Sequence, residues 1–314
     1  MDVHRSKSLP EGALPRDAAL PALSLFDDGA DIGRLRTLGI RGTVVARVPL
    51  GYHPGRRCTL RLVTDEAAYI VKVFARRAER VHSVLTALAD ADFAAVRVPR
   101  VLGFDPDVQV LVTDEFPPAT LEDLVAQGQG ARAGTLAAAW ITATQSADLQ
   151  LGRPIDPLDS IAKYGRRADS FHDGDLADRL RRVLSLLAPR LSTAAEGRVL
   201  LHGSFKLEHL HDCGDAVGPI DWDGYRQGPP EYDAATFLAT AAGIASEHPE
   251  WAGAIAEART AFLEGCGDGL DPSALRTFEI LALAKVIGQA GQVPGAAPDR
   301  AASLVSQAEG LLEA

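Results

Sequence analysis

Apolar and polar positions alternate along the first third of the chain in a way that predicts short strands. Thr43-Val44-Val45-Ala46-Arg47-Val48 is β-branched and apolar, and Cys58-Thr59-Leu60-Arg61-Leu62-Val63 alternates residue by residue. Ala68-Tyr69-Ile70-Val71-Lys72-Val73-Phe74 is a third such run. Leu50-Gly51-Tyr52-His53-Pro54-Gly55, with two glycines and a proline, predicts the turn between the first two strands, and Thr64-Asp65-Glu66 a short connection to the third. Tight connections of this kind imply an antiparallel sheet. A helix is predicted over Arg76 to Leu88, with Val81, Val84, Leu85 and Leu88 on one face. Pro99 to Phe104 and Val108 to Thr113 add two strands.

From Thr120 the period changes to that of helices. Leu176, Leu180, Val183, Leu184 and Leu187 form one apolar face over Asp175 to Leu187. Trp251 to Leu263 and Pro272 to Ile287 read the same way, Pro272 being well placed near a helix start. Between these helices lies a strand-and-loop island, residues 199–233. Residues 1–22, with three prolines among polar residues, read as a flexible lead-in. The expected organisation is a β-rich lobe over 23–114, a connector at 115–119 marked by Pro117 and Pro118, and a helical lobe over 120–314. Strands first and helices afterwards is the α+β pattern.

Composition narrows the function classes. The chain has 314 residues, 46% of them hydrophobic, and a formal net charge of −10. Such an acidic chain repels nucleic acid and anionic membranes. No apolar run of about 18 residues occurs, and the first twenty residues contain no signal-peptide core, so a cytoplasmic location is expected. Three widely spaced cysteines, Cys58, Cys213 and Cys266, argue against a disulfide framework. Of the 32 basic residues only five are lysines: Lys7, Lys72, Lys163, Lys206 and Lys285. Where arginine is the default cation, a lysine marks a place that needs a compact ammonium.

The chemistry concentrates in the island. Val199-Leu200-Leu201 feeds the polar loop His202-Gly203-Ser204-Phe205-Lys206-Leu207-Glu208-His209, and Pro219-Ile220 then delivers Asp221-Trp222-Asp223. Asp221 and Asp223 offer oxygen ligands to a hard cation such as Mg²⁺. Lys206 is placed to reach a phosphate, and Lys72 is the one charge on an otherwise apolar strand, where a nucleotide phosphate would partner it. Alone, Lys72 reads as an edge residue snorkelling to water and the two aspartates as turn residues; their ordered succession favours a site. His209, His211 and Cys213 alternate on one face, but without a matching distant pair they make a poor zinc site.

In this order, and over about residues 40 to 240, these features resemble the aminoglycoside phosphotransferase family, which has a bilobal protein-kinase-like fold. The resemblance rests on the turn-linked strands, Lys72, the hinge Val112-Thr113-Asp114-Glu115-Phe116, the His202-Gly203 loop and Asp221-Trp222-Asp223. Gly228-Pro229-Pro230-Glu231-Tyr232-Asp233 is similar to the family's G-D-P-x-x-D stretch, and His202 to His209 to the kinase run H-R-D-L-K-P-E-N.

The resemblance implies ATP and Mg²⁺ as cofactors. Lys72 would hold the α- and β-phosphates, the backbone of Asp114 and Phe116 the adenine, and the turn containing Gly51 and Gly55 would cover the phosphates. Asp221 would ligate magnesium, Lys206 would steady the transferring phosphoryl group, and Asp233 would brace the loop. Ser204 stands where the family has its catalytic Asp, and His209 where it has a metal-binding Asn. Asp223 and Glu208 are the substitute bases in reach, and no acid occupies the pairing depth for Lys72, where Val81 and His82 lie. The implied acceptor is a hydroxyl of a small molecule, greeted by acids such as Asp169, Asp173, Asp175 and Asp178, or of a natural-product peptide handled with a partner protein. The alternative is a pseudokinase that binds nucleotide without turnover.

Overall fold

The structure is a computed structural model and describes residues 14–27, 32–168, 174–194, 197–290 and 298–313. It divides into two compact units: residues up to 92 together with 98–116, and residues 93–97 together with those from 117 on.

The first unit contains helix α1 (Ile32–Thr37), strands β1 (Val44–His53), β2 (Arg57–Thr64) and β3 (Ala68–Phe74), helix α2 (Ala78–Asp90), and strands β4 (Val101–Asp105) and β5 (Val110–Asp114). Among the described residues the five strands form one antiparallel sheet in the order β1-β2-β3-β5-β4. The alternation seen in the sequence sorts the two faces. Cys58, Leu60 and Leu62 of β2 and Tyr69, Val71 and Val73 of β3 are buried together, and Lys72 lies on the opposite, half-buried side, paired with Thr59 and Leu111. Leu20, Leu23, Phe26, Leu38 and Ile40 pack on the apolar face. The lead-in therefore ends earlier than expected: Leu20 is 1% exposed and Ala22 5%, both core residues of this unit.

Two local expectations change. Leu50 to His53 belong to β1, with Gly51 opposite Thr59, so the turn shrinks to Pro54-Gly55-Arg56. A register shift between Pro49 and Gly51 absorbs the residues that broke the strand pattern. Helix α2 starts two residues later than expected, where the Ala78 N–H donates to the Gln109 side-chain oxygen (2.9 Å), and its buried face is Val81, Val84, Leu85 and Leu88.

The second unit is mainly helical. It contains α3 (Leu121–Ala126), α4 (Gly130–Ser146), α5 (Pro157–Ala168) and α6 (Gly174–Ala194), then strands β6 (Val199–Leu201), β7 (Leu210–Asp212), β8 (Val217–Pro219) and β9 (Arg226–Gly228). Helices α7 (Glu231–Glu247), α8 (Ala252–Cys266), α9 (Pro272–Ala290) and α10 (Pro298–Glu313) complete it. Strand β6 pairs with β9 and β7 with β8, both antiparallel. Thr120 begins α3 with a capping box closed by Asp123. Helices α4 and α8 approach closely at Gly134, where a side chain would meet the Ala258 carbonyl at 2.2 Å. This contact seats α4 so that Trp140, two turns on, is fully buried beneath the island. The sheet followed by helices is the α+β class expected from the sequence. Among the described residues no helix is long and apolar enough to cross a membrane.

Candidate active site

Strand β6 ends at His202, and the first turn of α7 holds Asp233 beneath the loop that follows. Asp233 is 1% exposed. One carboxylate oxygen accepts the His202 N–H (2.6 Å) and the Trp140 indole N–H (3.2 Å), and the other accepts the Gly203 N–H (2.9 Å). Burial pushes this carboxyl up to about 6, against the pull of those donors. The His202 ring spans the island, its Nε2 hydrogen-bonded to the Ile220 carbonyl (2.6 Å) and its Nδ1 accepting from the Ser204 N–H (3.3 Å). An accepting Nδ1 and a donating Nε2 define a neutral ring in one tautomer. Trp222, 1% exposed, donates to the Pro219 carbonyl (2.9 Å) and packs on His202 and Trp140 at ring distances of 4.7 and 5.1 Å.

Gly203 has φ +76°, and a Cβ there would lie 2.2 Å from the Gly224 carbonyl oxygen. The left-handed conformation alone costs a side chain about 1–2 kcal/mol. Gly203→Ala is therefore expected to lower stability by about 2 kcal/mol or more in chemical denaturation. A loss below about 0.5 kcal/mol, the scale of an inert surface change, would contradict the close approach.

This scaffold presents Lys206, His209 and Asp221 together. Lys206 forms an ion pair with Glu208. His209 Nδ1 hydrogen-bonds the Ser204 carbonyl (3.0 Å), which leaves Nε2 3.9 Å from the Asp221 carboxylate and 3.8 Å from that of Glu208. Burial, then the Lys206 charge, pushes the imidazole down to about 3, so His209 is a neutral ring whose lone pair faces carboxylate oxygens. Asp221 has φ 63°, a left-handed conformation that aspartate tolerates better than most residues. Asp223 follows two residues later in a single 3₁₀ turn. Ser204 is half-buried, its backbone fixed at both ends by the two histidines.

The donor set fits a divalent cation. Two ligands 3.9 Å apart are too far for a hydrogen bond but are spanned by one ion at about 2.1 Å from each. Among the described residues no group of three or more His, Cys, Asp or Glu surrounds a common point, so phosphate oxygens would have to complete the shell. His211 donates or accepts at the Pro117 carbonyl (2.7 Å) rather than joining His209.

The remaining residues singled out in the sequence belong to the first unit. Lys72 lies on β3. Phe116 is 6% exposed. The Asp114 N–H donates to the Arg100 carbonyl (3.1 Å), and its side chain accepts the Arg100 N–H (2.7 Å). Gly51 is a ladder residue of β1 rather than a turn residue, and the Gly55 N–H donates to Asp17 (2.7 Å), which also accepts from the Tyr52 hydroxyl (3.0 Å). The hairpin tip thus spends its Gly55 amide on a carboxylate of the segment before the sheet. His82 stacks on Phe104 at 4.2 Å and Glu79 is exposed. Of the proposed acidic cluster, Asp169 and Asp173 lie outside the described residues, Asp175 is exposed, and Asp178 pairs with Arg181 (2.6 Å) on a solvated face.

Three features escaped the sequence. Trp140 clamps Asp233 from 93 residues away. Glu122, on α3, has its carboxyl pushed above the usual range by burial and by Glu208. Lys285 lies near enough to Lys206 to feel its charge, and only the scarcity of lysines pointed to it.

A buried aspartate clamps a histidine-led loop that carries a lysine and an imidazole beside a left-handed aspartate. A sequence model described as the phosphotransferase enzyme family, APH, matches residues 56–271, and the chain belongs to this family. No curated protein sequence matches the chain. Several solved structures share its fold. A thermostable mutant of the aminoglycoside phosphotransferase APH(4)-Ia, in apo form, is 16% identical, covering 89% of this chain and 97% of its own, with a TM-score of 0.61. The choline kinase LicA from Streptococcus pneumoniae is also 16% identical, covering 86% and 94%, with a TM-score of 0.56. The amicoumacin kinase hAmiN, in complex with AMP-PNP, Ca²⁺ and Ami, is 13% identical, covering 93% and 96%, with a TM-score of 0.58. The fold is the protein-kinase-like α+β fold.

Proposed function

We propose that the protein is an ATP- and Mg²⁺-dependent phosphotransferase that moves the γ-phosphate to a hydroxyl of a small molecule in the cytoplasm. The observation that carries this reading is the cluster of Lys206, His209 and Asp221 on the Asp233-clamped loop, in a chain of the phosphotransferase family. The amicoumacin kinase of similar fold holds an ATP analogue and a divalent cation, which supports the same cofactors here. Asp221 would hold the metal together with the nucleotide's phosphates, and His209 would offer its Nε2 lone pair. When bound, the metal neutralises charge on the phosphoryl oxygens. Lys206 steadies the transferring group, Lys72 holds the α- and β-phosphates, and the backbone of Asp114 and Phe116 receives the adenine. Asp223 and Glu208 are the side chains available to take the acceptor's proton. A hydroxyl of a natural-product peptide, presented with a partner protein, is the other acceptor consistent with the family.

Calorimetry with ATP in the presence and absence of Mg²⁺ tests this. Binding is expected to require Mg²⁺, to weaken about tenfold or more in Lys72→Ala, and to lose its metal dependence in Asp221→Ala. No binding at millimolar ATP with Mg²⁺ would end the reading. Ser204 and His209 favour a second reading, a subunit that binds nucleotide without turnover. Binding with no ATP consumed across an acceptor panel would establish it.

A further inference from the structure

We infer that Arg61, held flat by Glu115, is the residue on which the nucleotide base stacks. The inference rests on the phosphotransferase reading, because it adds a binding residue to that nucleotide site. Along β2, Cys58, Leu60 and Leu62 are buried, while Arg57, Thr59 and Arg61 alternate onto the half-buried face of the sheet. The register puts Thr59 opposite Lys72 and Arg61 opposite Ile70, so Arg61 shares a face with Lys72, one step along the ladder. On its other side Arg61 is paired with Val48 of β1, so its stem runs between two half-buried aliphatic residues. All these residues, and the hinge positions 114–116, belong to the first unit.

The partner of Arg61 stands beyond β3. The Arg61 Nε donates to one Glu115 carboxylate oxygen (2.5 Å), and a terminal guanidinium nitrogen donates to the other (2.9 Å). Glu115 directly follows β5, whose Asp114 pairs with Tyr69, so Glu115 stands level with Ala68. In the order β1-β2-β3-β5-β4, strands β2 and β5 are two spacings apart, about 9–10 Å. Two extended side chains meet across that gap only by passing over β3, at the level of Ala68 to Ile70. The pair is thus a strap laid across the sheet. At one end of it is the hinge backbone that receives the adenine, and beside it is the lysine that holds the phosphates. A nucleotide held at both places lays its base along the strap. A fork-to-fork pair keeps guanidinium and carboxylate in one plane and engages the guanidinium by its edge, so the face is left for stacking. The Arg61 and Glu115 side chains keep 40% and 28% of their surface accessible. A pair so exposed adds little to stability. What arginine supplies here is a charged plane, which attracts the π-face of a base.

Calorimetry of the full chain with Mg²⁺ tests this with two probes, ATP and inorganic tripolyphosphate, the second measured by displacement of ATP. Arg61→Ala is expected to weaken ATP about tenfold and to leave tripolyphosphate within about twofold, because the lost contact is to the base alone. Two further variants separate stacking from a structural ion pair. Arg61→Lys can still meet Glu115 but has no plane, and should bind ATP as weakly as the alanine variant. Arg61→Phe has a plane but cannot pair with Glu115, and should restore ATP to within about threefold of the parent. Phenylalanine suits a half-buried strand position and lysine keeps the charge, so neither substitution asks the sheet to rearrange. ATP affinity that survives in Arg61→Ala, that returns in Arg61→Lys but not in Arg61→Phe, or that falls together with tripolyphosphate affinity overturns the inference. Failure of the parent chain to bind ATP at all would instead be failure of the phosphotransferase reading.

Discussion

Asp233→Ala removes the acceptor of three buried hydrogen bonds and is expected to be the most destabilising single change in the molecule. The Trp140 indole, His202 and Gly203 N–H groups would all lose their partner in a space closed to water. An unsatisfied buried donor costs roughly 1–3 kcal/mol, so the three together cost about 3–9 kcal/mol, against a total stability of about 5–15 kcal/mol. The helical unit should unfold cooperatively at much lower denaturant, and the soluble fraction should lose the near-ultraviolet signal of the packed Trp140 and Trp222. Asp233→Asn separates charge from shape: its amide oxygen still serves one pair of donors, while its NH₂ group opposes the other. It also removes a titration. The folded chain takes up the Asp233 proton near pH 6 and the unfolded chain near 3.8. The folded state therefore binds more protons between these values, and on this group's account stability falls as pH rises from about 4 to about 6 and is level above. The asparagine variant should flatten that slope. Asp233→Ala within about 1 kcal/mol of the parent would show that the clamp is not what holds the loop.

The clamp was legible in part, and the reason it was only part is instructive. The sequence placed Asp233 as a brace through the resemblance of Gly228 to Asp233 to a family stretch. It gave no sign of Trp140, because the two are 93 residues apart and joined only by the packing of α4 over the island. Strands β2 and β3 were read correctly because each buries one face, so polarity alternates. Helices α4 and α7 carried no such contrast. Ala234, Ala235, Phe237, Leu238 and Ala239 are all buried, so α7 has no polar face to mark its period. The hairpin tip was drawn too wide because Gly51 and Pro54 both look like breakers, yet Gly51 is absorbed by a register shift within β1. The polar, proline-bearing approach to Leu20 hid an apolar spacing, Leu20, Leu23 and Phe26, that only the underside of a sheet makes meaningful.

Ser204→Asp is expected to speed phosphoryl transfer. The serine stands at the position where the family resemblance places the catalytic base, and its hydroxyl does not accept a proton at neutral pH. The backbone here is already held: the Ser204 N–H donates to His202 and its carbonyl meets His209. Neither bond involves the side chain, so an aspartate can enter without moving the loop. General-base assistance is worth roughly 10²–10⁴-fold, so an increase of about 10²-fold in kcat is expected, with little change in KM for ATP. The pH profile should gain an acid limb that the parent lacks, because a carboxylate must now be ionised to act. Ser204→Ala, as the control, should keep the parent rate within a few-fold, since loose phosphoryl transfer draws most of its rate from positioning and charge neutralisation. A large loss in the alanine variant would make the serine hydroxyl itself a participant. An aspartate variant no faster than the parent would mean that the acceptor oxygen arrives already stripped of its proton, by Asp223, by Glu208 or by its own acidity, and that the missing base never limited the rate.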